Sequence, residues 1–257
     1  MQQPIILIGV GEMGGVFAKA LLRAEHPVYP VLRTTSLTQA SAAIPEPEFA
    51  LVTVGEADLD RVLGSLPAGW AQRAGLIQNE LLPRDWERHA IANPTVAVVW
   101  FEKKPGQDVK QVTATPVAGP AARLLVDALA GTGIDAYEIA PDNLTDQLVI
   151  KNCYILTSNI AGLRTGGTTG QLWEEHRQLA EVVVAEVLDI QQWLVDAPLD
   201  RERMVAGMAA AFLADPEHKT TGRSAQQRLS RALQHAAEAG IEAPTLTEIE
   251  QEQGHTP

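Results

Sequence analysis

The stretch "IILIGVGEMGGVFAKALL" (residues 5–22) decides how the rest of the chain is interpreted. An unalternated apolar run leads directly into Gly9, Gly11 and Gly14 with the spacing G-x-G-x-x-G, and a helical pattern follows. Gly9 permits a tight turn, Gly11 lets the backbone approach a pyrophosphate, and Gly14 lets helix and strand pack closely. The helix N-terminus adds N–H groups and a favourable dipole for an anion. We therefore expect a dinucleotide site; the alternative is a glycine turn kept only for packing.

The pattern around this motif predicts an α/β fold, a Rossmann-type doubly wound sheet followed by an all-helical C-terminal domain. Short apolar runs alternate with helical patterns up to about residue 140, which indicates a parallel sheet covered on both faces. A hairpin or meander is expected around "PGQD" (105–108). From residue 142 onward the strand patterns disappear, and long helices are predicted over 142–163 and 168–196. We place a nucleotide-binding domain at 1–141 and a helical substrate and closure domain at 142–257.

Composition narrows the functional classes. The 257 residues carry a formal charge of −12, which argues against nucleic-acid and anionic-membrane surfaces, since both require clustered Lys and Arg. The single cysteine, Cys153, cannot form an internal disulfide, and it reads as a small buried residue rather than a nucleophile. No signal peptide or membrane helix is predicted, so we expect a cytoplasmic protein. The histidines lack metal-ligand spacing, and no metal site is expected.

The ends of the predicted strands indicate which dinucleotide would bind. An NAD site usually has a carboxylate after the second strand, whereas "VLRTTS" offers Arg33 and Thr34, which suit the 2′-phosphate of NADP. A solvated loop arginine is the alternative. Ligands lie beyond the carboxyl ends of such strands, and this places Gly55, Gln78 and Asn79 along the cleft. The expected cofactor is NADPH, contacted by Gly9, Gly11, Glu12, Met13, Gly14, Arg33, Thr34, Gly55, Gln78 and Asn79.

Polar side chains interrupt the first predicted C-terminal helix at "VIKNCYILTSN" (149–159). Polar groups on a buried helix face are costly unless something pairs with them. Lys151 could donate a proton to a carbonyl oxygen, and Asn159 could bind substrate oxygens. From periodicity alone, a lysine whose stem extends along the helix to solvent is the favoured explanation for Lys151. For Asn159, a hydrogen bond to a neighbouring backbone group is the alternative.

With these motifs in order, the chain resembles the ketopantoate reductase family, within the wider 6-phosphogluconate-dehydrogenase-like group. The matching features are "IGVGEMG", "VLR", the pair Gln78–Asn79, Lys151 followed eight residues later by Asn159, and "NIAGLRTGGTTGQLW". The resemblance implies an NADPH-binding Rossmann domain and a helical domain that closes over it. It implies Lys151 as the catalytic acid and a small-molecule substrate held by Asn159 and Ser224, with a homodimer as one candidate assembly.

The chain also differs from this family. Glu80 stands where the family has a glycine, and Ile155 stands where it has an asparagine, a role for which Asn152 is the nearest substitute. The segment "LTEIEQ" (246–251) contains the letters of the family's later Thr-Glu-Ile element but lies too close to the C-terminus to be that element, so we expect no equivalent of it. Ser224 has a second explanation as part of a capping box with Gln227, and Arg223 beside it is either a carboxylate ligand or exposed. A reductase of a small 2-keto acid is the first hypothesis. An NADP(H)-binding protein without turnover and a 3-hydroxy acid dehydrogenase remain open.

Overall fold

A seven-stranded sheet forms the N-terminal part of the chain, in a computed structural model that describes residues 3–222 and 224–254. Its strands are β1 (Ile5–Ile8), β2 (Val28–Val31), β3 (Phe49–Val52), β4 (Ala74–Leu76), β5 (Thr95–Ala97), β8 (Thr115–Ala118) and β9 (Ala136–Glu138). A separate antiparallel pair contains β6 (Phe101–Glu102) and β7 (Lys110–Gln111), which is the hairpin predicted around "PGQD".

The strand order is β2-β1-β3-β4-β5-β8-β9. The first five strands in chain order pair in parallel, β8 runs antiparallel to β5, and β9 is parallel to β8. Because β1 lies between β2 and β3, the direction of winding reverses there, and the carboxyl end of β1 is the topological switch point where ligands bind in such sheets. Every residue of β1 and β3 is buried, which is why their sequences show apolar runs without alternation.

Six helices accompany the sheet: α1 (Glu12–Arg23), α2 (Leu37–Ala43), α3 (Glu56–Leu63), α4 (Ala68–Ala71), α5 (Pro83–Glu87) and α6 (Ala122–Ala130). One face of the sheet packs against α1 and α6 through a common apolar cluster that includes Ile5, Phe17 and Leu125. The short helices α2 and α4 were not predicted. The N-cap of α2 is Ser36, whose side chain accepts a hydrogen bond from the N–H of Gln39.

The C-terminal part consists of α7 (Leu144–Thr165), α8 (Thr169–Glu175), α9 (Arg177–Val195), α10 (Arg201–Ala214), α11 (Ala225–Ala239) and α12 (Pro244–Gly254). The chain divides into two compact units, 1–147 and 148–257, and the division falls in the first turn of α7. The predicted class, a Rossmann-type sheet followed by helices, is confirmed. None of the helices in the described ranges has the length and apolar composition needed to cross a bilayer.

Three local predictions were wrong. The helix predicted over 168–196 bends at His176, where α8 ends and α9 begins. The helix predicted from residue 142 begins at Leu144, after a short 3-10 helix (Pro141–Asn143) that contains Asp142. Ser224 precedes α11, but its side chain makes no capping hydrogen bond, so the proposed capping box with Gln227 does not form. A capping box of Thr168 with Gln171 forms at the start of α8.

The bend at His176 has a tertiary cause. The start of α8 is fixed by hydrogen bonds from the N–H groups of Thr169 and Gly170 to the carbonyl oxygens of His218 and Pro216. Gly170 packs so closely on Pro216 that an added Cβ would lie 2.9 Å from the proline Cβ. The helical periodicity of 168–196 carries no trace of these distant bonds, and it therefore predicted one continuous helix.

Candidate active site

The three glycines of the motif lie between the carboxyl end of β1 and the start of α1, and each has a different environment. Gly9 has φ +92°, a conformation that favours glycine. A Cβ on Gly14 would lie 2.2 Å from the carbonyl oxygen of Gly9 and 2.8 Å from Oγ1 of Thr53, so only glycine fits that packing. A Cβ on Gly11 would meet nothing within 4 Å. The space above Gly11 is therefore open, as an approaching pyrophosphate requires.

The first turn of α1 follows this open space directly. Gly11 is its N-cap and offers no side-chain capping bond. The predicted contact residues Glu12 and Met13 are the first two residues of the helix, where N–H groups and the positive end of the helix dipole favour an anion. The Glu12 carboxylate faces Lys103, with Oε2 3.6 Å from the lysine Nζ.

A cavity of about 580 Å³ extends from Gly11 toward the end of β2. Its lining includes Arg33, Thr35, Asp58 and Arg61. Asp58 accepts from both guanidinium groups, at 3.1 Å from Nη2 of Arg33 and 3.0 Å from Nη2 of Arg61. The hydrogen bond from Arg61, followed by the charge and hydrogen bond of Arg33, lowers the pKa of the Asp58 carboxyl. The cavity mouth thus carries two cations that share one anion.

Of the two residues predicted to bind the 2′-phosphate, one lines this cavity and the other does not. Arg33 is 89% exposed at its side chain and lines the cavity. Thr34 is exposed and is not among the described lining residues, whereas Thr35 is, with its Oγ1 accepting from the N–H of Leu32. The sequence reasoning missed Arg61. The sequence could have indicated Arg61, because the helix that follows Gly55 begins at the same edge of the sheet as the glycine motif.

A second cavity, of about 380 Å³, extends from Gly11 toward the ends of β3 and β4 and is lined in part by Gly55, Gln78 and Asn79. Gln78 is buried, and its amide nitrogen donates to the carbonyl oxygens of Val52 and Val54. Its amide therefore holds the ends of two strands together. Asn79 donates from Nδ2 to Oε1 of Glu56 at 3.0 Å.

Glu80 follows this pair with φ +59°, in the left-handed region that favours glycine. The ketopantoate reductase family, which the sequence resembles, has a glycine at this position. The backbone turn that suits that glycine is therefore present here, with a glutamate in a conformation that costs it free energy.

Lys151 lies on α7 and is half-buried. Its Nζ is 5.5 Å from the centroid of the Tyr154 ring, within the range of an attractive cation–π contact. Ile155, one turn further along, is buried, so the position where the family has an asparagine contributes to the core of the helical unit.

Asn159 joins α7 to the start of α11. Its Nδ2 donates to the carbonyl oxygen of Thr220 at 3.0 Å, and its Oδ1 accepts from Nη1 of Arg228 at 2.7 Å. Arg228 is half-buried and lies one turn after Ser224, whose carbonyl oxygen accepts its backbone N–H. The structure thus brings Asn159 together with the first turn of α11. The sequence reasoning missed Arg228, although its spacing of four residues from Ser224 places both on one helix face.

The other candidates of the helical unit lie elsewhere. Asn152 is 1% exposed and donates to Oε1 of Gln191 on α9 at 2.9 Å. Its amide therefore serves a buried contact between two helices. Arg223, considered as a carboxylate ligand, lies outside the described residues. Over the described ranges, His, Cys, Asp and Glu form no group of three that could hold a metal ion.

The Cys153 thiol is expected to be unreactive in the native protein. It is 0% exposed, and burial raises its pKa to about 12. At pH 8 only about one thiol in ten thousand is then the reactive thiolate. A disulfide reagent such as Ellman's reagent should release no thiol chromophore from the folded protein and one equivalent after denaturation. Rapid stoichiometric reaction of the folded protein would contradict this expectation.

No protein-family model matches the sequence, and no curated protein matches it significantly. Solved structures do match. A 2-dehydropantoate 2-reductase from Methylococcus capsulatus superimposes with a TM-score of 0.69 at 16% identity, over 98% of this chain and 96% of that chain. D-mandelate dehydrogenase in complex with NADH gives 0.67 at 15% identity, over 97% and 98%. A dimeric ketopantoate reductase from Staphylococcus aureus gives 0.66 at 14% identity, over 96% of each chain. The likeness is one of fold and extends over nearly the whole chain.

Proposed function

We propose that this chain is an NADPH-dependent reductase of a small 2-keto acid or a similar carbonyl compound. The main support is the open space above Gly11. One cavity extends from it to Arg33 and Arg61, and another extends to Gln78 and Asn79. A dinucleotide has matching parts, with a pyrophosphate between an adenosine and a nicotinamide end. The solved structures with this fold include 2-dehydropantoate 2-reductases and a D-mandelate dehydrogenase bound to NADH, which supports an oxidoreductase that uses nicotinamide.

The preference for NADPH rests on the end of β2. The residues that follow this strand include no carboxylate, and Arg33 and Arg61 both line the adenosine-side cavity. A guanidinium can bind a phosphate through two parallel hydrogen bonds. In the structure, Asp58 forms ion pairs with both guanidinium groups, and a 2′-phosphate would compete with Asp58 for them. The exposed position of Arg33 keeps the cost of that exchange small.

Arg33→Ala is expected to weaken NADPH binding by about tenfold and to leave NADH binding unchanged, because only NADPH carries the 2′-phosphate. Titration of the protein with each cofactor, followed by nicotinamide fluorescence, measures both dissociation constants. Arg123→Ala is a matched control, since Arg123 is an exposed arginine paired with Asp127 on α6. Equal weakening of NADH would mean that Arg33 does not discriminate the phosphate.

NADPH bound along the glycine loop would supply the hydride for the carbonyl carbon of the substrate. Lys151 donates a proton to the carbonyl oxygen as negative charge develops on it. The ring of Tyr154 lies beneath the ammonium group and restricts where it can reach. Gly55, Gln78 and Asn79 line the cavity proposed for the nicotinamide half of the cofactor.

We place the substrate carboxylate with Asn159 and the first turn of α11. Arg228 donates to Asn159 at 2.7 Å and brings a positive charge to this corner of the helical unit. A carboxylate substrate would find there a guanidinium, the amide of Asn159 and the hydroxyl of Ser224. A homodimer is proposed as the assembly, supported by the dimeric ketopantoate reductase that shares the fold.

A second candidate function is an NADP(H)-binding protein without turnover. Specific contacts favour it: Asn152 is bonded to Gln191, Asn159 is bonded to Arg228 and Thr220, and Ile155 is buried. NADPH oxidation with a panel of small 2-keto acids separates the two functions. Turnover with at least one of them supports the reductase, whereas tight NADPH binding without oxidation supports the second candidate.

A further inference from the structure

The cavity on the nicotinamide side of Gly11 has an acidic lining. Among the described residues that line it, the ionisable ones are Glu12, Glu56, Glu102 and Lys103. A phosphate entering this region would meet three carboxylates and one ammonium group. Glu12 is the first residue of α1 and directly follows Gly11, which borders the open space. Like charges oppose phosphate binding unless a cation is placed between them.

Lys103 lies at the point where two cavities meet. It lines the nicotinamide-side cavity and also a separate cavity of about 590 Å³ that is lined by α1 and the β6–β7 hairpin, with Gly11 and Glu12 common to both. Its neighbour Lys104 is not among the described residues lining either cavity. Lys104 instead bonds Oε1 of Glu102 at 2.9 Å and is 55% exposed.

The contacts of Lys103 hold its ammonium group in place without neutralising it firmly. Its Nζ donates to the carbonyl oxygens of Lys104 and Gln107, within the turn that joins β6 and β7. Among the described residues, its anionic partner is Glu12, with the carboxylate Oε2 3.6 Å from Nζ. That distance exceeds the 2.7–2.9 Å of a strong charge-assisted hydrogen bond, so the ion pair is weak and can be exchanged.

We propose that Lys103 binds the cofactor pyrophosphate. Before the cofactor binds, the Glu12 carboxylate pairs with the Lys103 ammonium group, and the pyrophosphate then displaces this carboxylate. The inference rests on the proposed function, because it requires a dinucleotide at the glycine loop. The hairpin of β6 and β7 then contributes a cation that the G-x-G-x-x-G motif does not encode. Lys103 offsets the Glu12 charge that would otherwise repel the phosphates.

Three ligands and four variants test this assignment by calorimetric titration. NADPH carries both the pyrophosphate and the 2′-phosphate, ADP-ribose carries only the pyrophosphate, and adenosine 2′-monophosphate carries only the 2′-phosphate. Lys103→Gln should weaken NADPH and ADP-ribose by about tenfold each and leave adenosine 2′-monophosphate unchanged. Arg33→Ala should weaken NADPH and adenosine 2′-monophosphate and leave ADP-ribose unchanged. Lys104→Gln, the matched control, should change none of the three.

Glu12→Gln tests the exchange itself. Removing the competing carboxylate should tighten NADPH and ADP-ribose binding by about threefold, and this gain should shrink at high salt. Weaker binding by Glu12→Gln would overturn the exchange. Unchanged ADP-ribose affinity in Lys103→Gln would overturn the assignment of Lys103 while leaving the proposed function intact. Failure of the unmodified protein to bind any of the three ligands would overturn both.

Discussion

Replacing Lys151 with alanine is expected to lower kcat/KM for reduction of a 2-keto acid by about a hundredfold to ten-thousandfold. The dissociation constant for NADPH should stay nearly unchanged. Lys151 belongs to the unit of residues 148–257, whereas the cavities along the glycine loop are lined by residues of the first unit. Steady-state kinetics with a 2-keto acid and a separate NADPH titration measure the two effects independently.

A second substitution at this position separates proton donation from charge. Lys151→Arg keeps a positive charge near Tyr154, but a guanidinium does not release its proton in proteins. If Lys151 is the general acid, this variant should be nearly as slow as Lys151→Ala. Substantial recovery of kcat would instead mean that the positive charge alone stabilises the developing oxyanion.

Lys219→Ala is the matched control, because Lys219 is an exposed lysine of the same helical unit. It should keep full activity and NADPH affinity. Lys151 is half-buried on α7, so a thermal unfolding scan of every variant checks that lost activity does not reflect lost structure. Turnover by folded Lys151→Ala equal to that of the unmodified protein would remove Lys151 from the mechanism.

The parts of the fold that could be predicted are those with local sequence signals. The apolar run of β1, the glycines and the start of α1 form one continuous segment, so their spacing alone indicates the turn. Arg61 could not be found this way. It shares Asp58 with Arg33, which is 25 residues before that aspartate in the chain. They meet only because β2 and β3 both end at the same edge of the sheet on either side of β1.

The same reasoning explains the helical unit. Periodicity indicated that the 149–159 segment was helical and that its polar residues needed partners, but it could not name those partners. Asn152 and Asn159 lie two turns apart on α7, yet one bonds Gln191 on α9 and the other bonds Arg228 on α11. These partners are 39 and 69 residues away, and their positions depend on how the helices pack. A buried polar stripe therefore predicts contacts without distinguishing structural from functional ones.

Gly11→Val is expected to weaken NADPH binding by at least about a hundredfold, since the new side chain would fill the space proposed for the pyrophosphate and break two or more of its hydrogen bonds. The folded protein should tolerate the change. A Cβ at Gly11 meets nothing within 4 Å, and its φ of −84° with ψ of −163° is open to any residue. Valine is a poorer N-cap than glycine, so a loss of about 1 kcal/mol in unfolding free energy is expected.

Gly14→Ala should show the opposite pattern, a larger loss of stability than of NADPH affinity. The two variants together test whether the motif binds a cofactor or only packs helix against strand. Its Cβ would overlap the carbonyl oxygen of Gly9 at 2.2 Å, a backbone atom that cannot turn aside. Overpacking of this kind costs about 1–3 kcal/mol or more, which should lower the unfolding temperature by several degrees. Scanning calorimetry and NADPH titration of both variants give the comparison. If Gly11→Val bound NADPH as tightly as the unmodified protein, the motif would be a packing turn and the cofactor site would lie elsewhere.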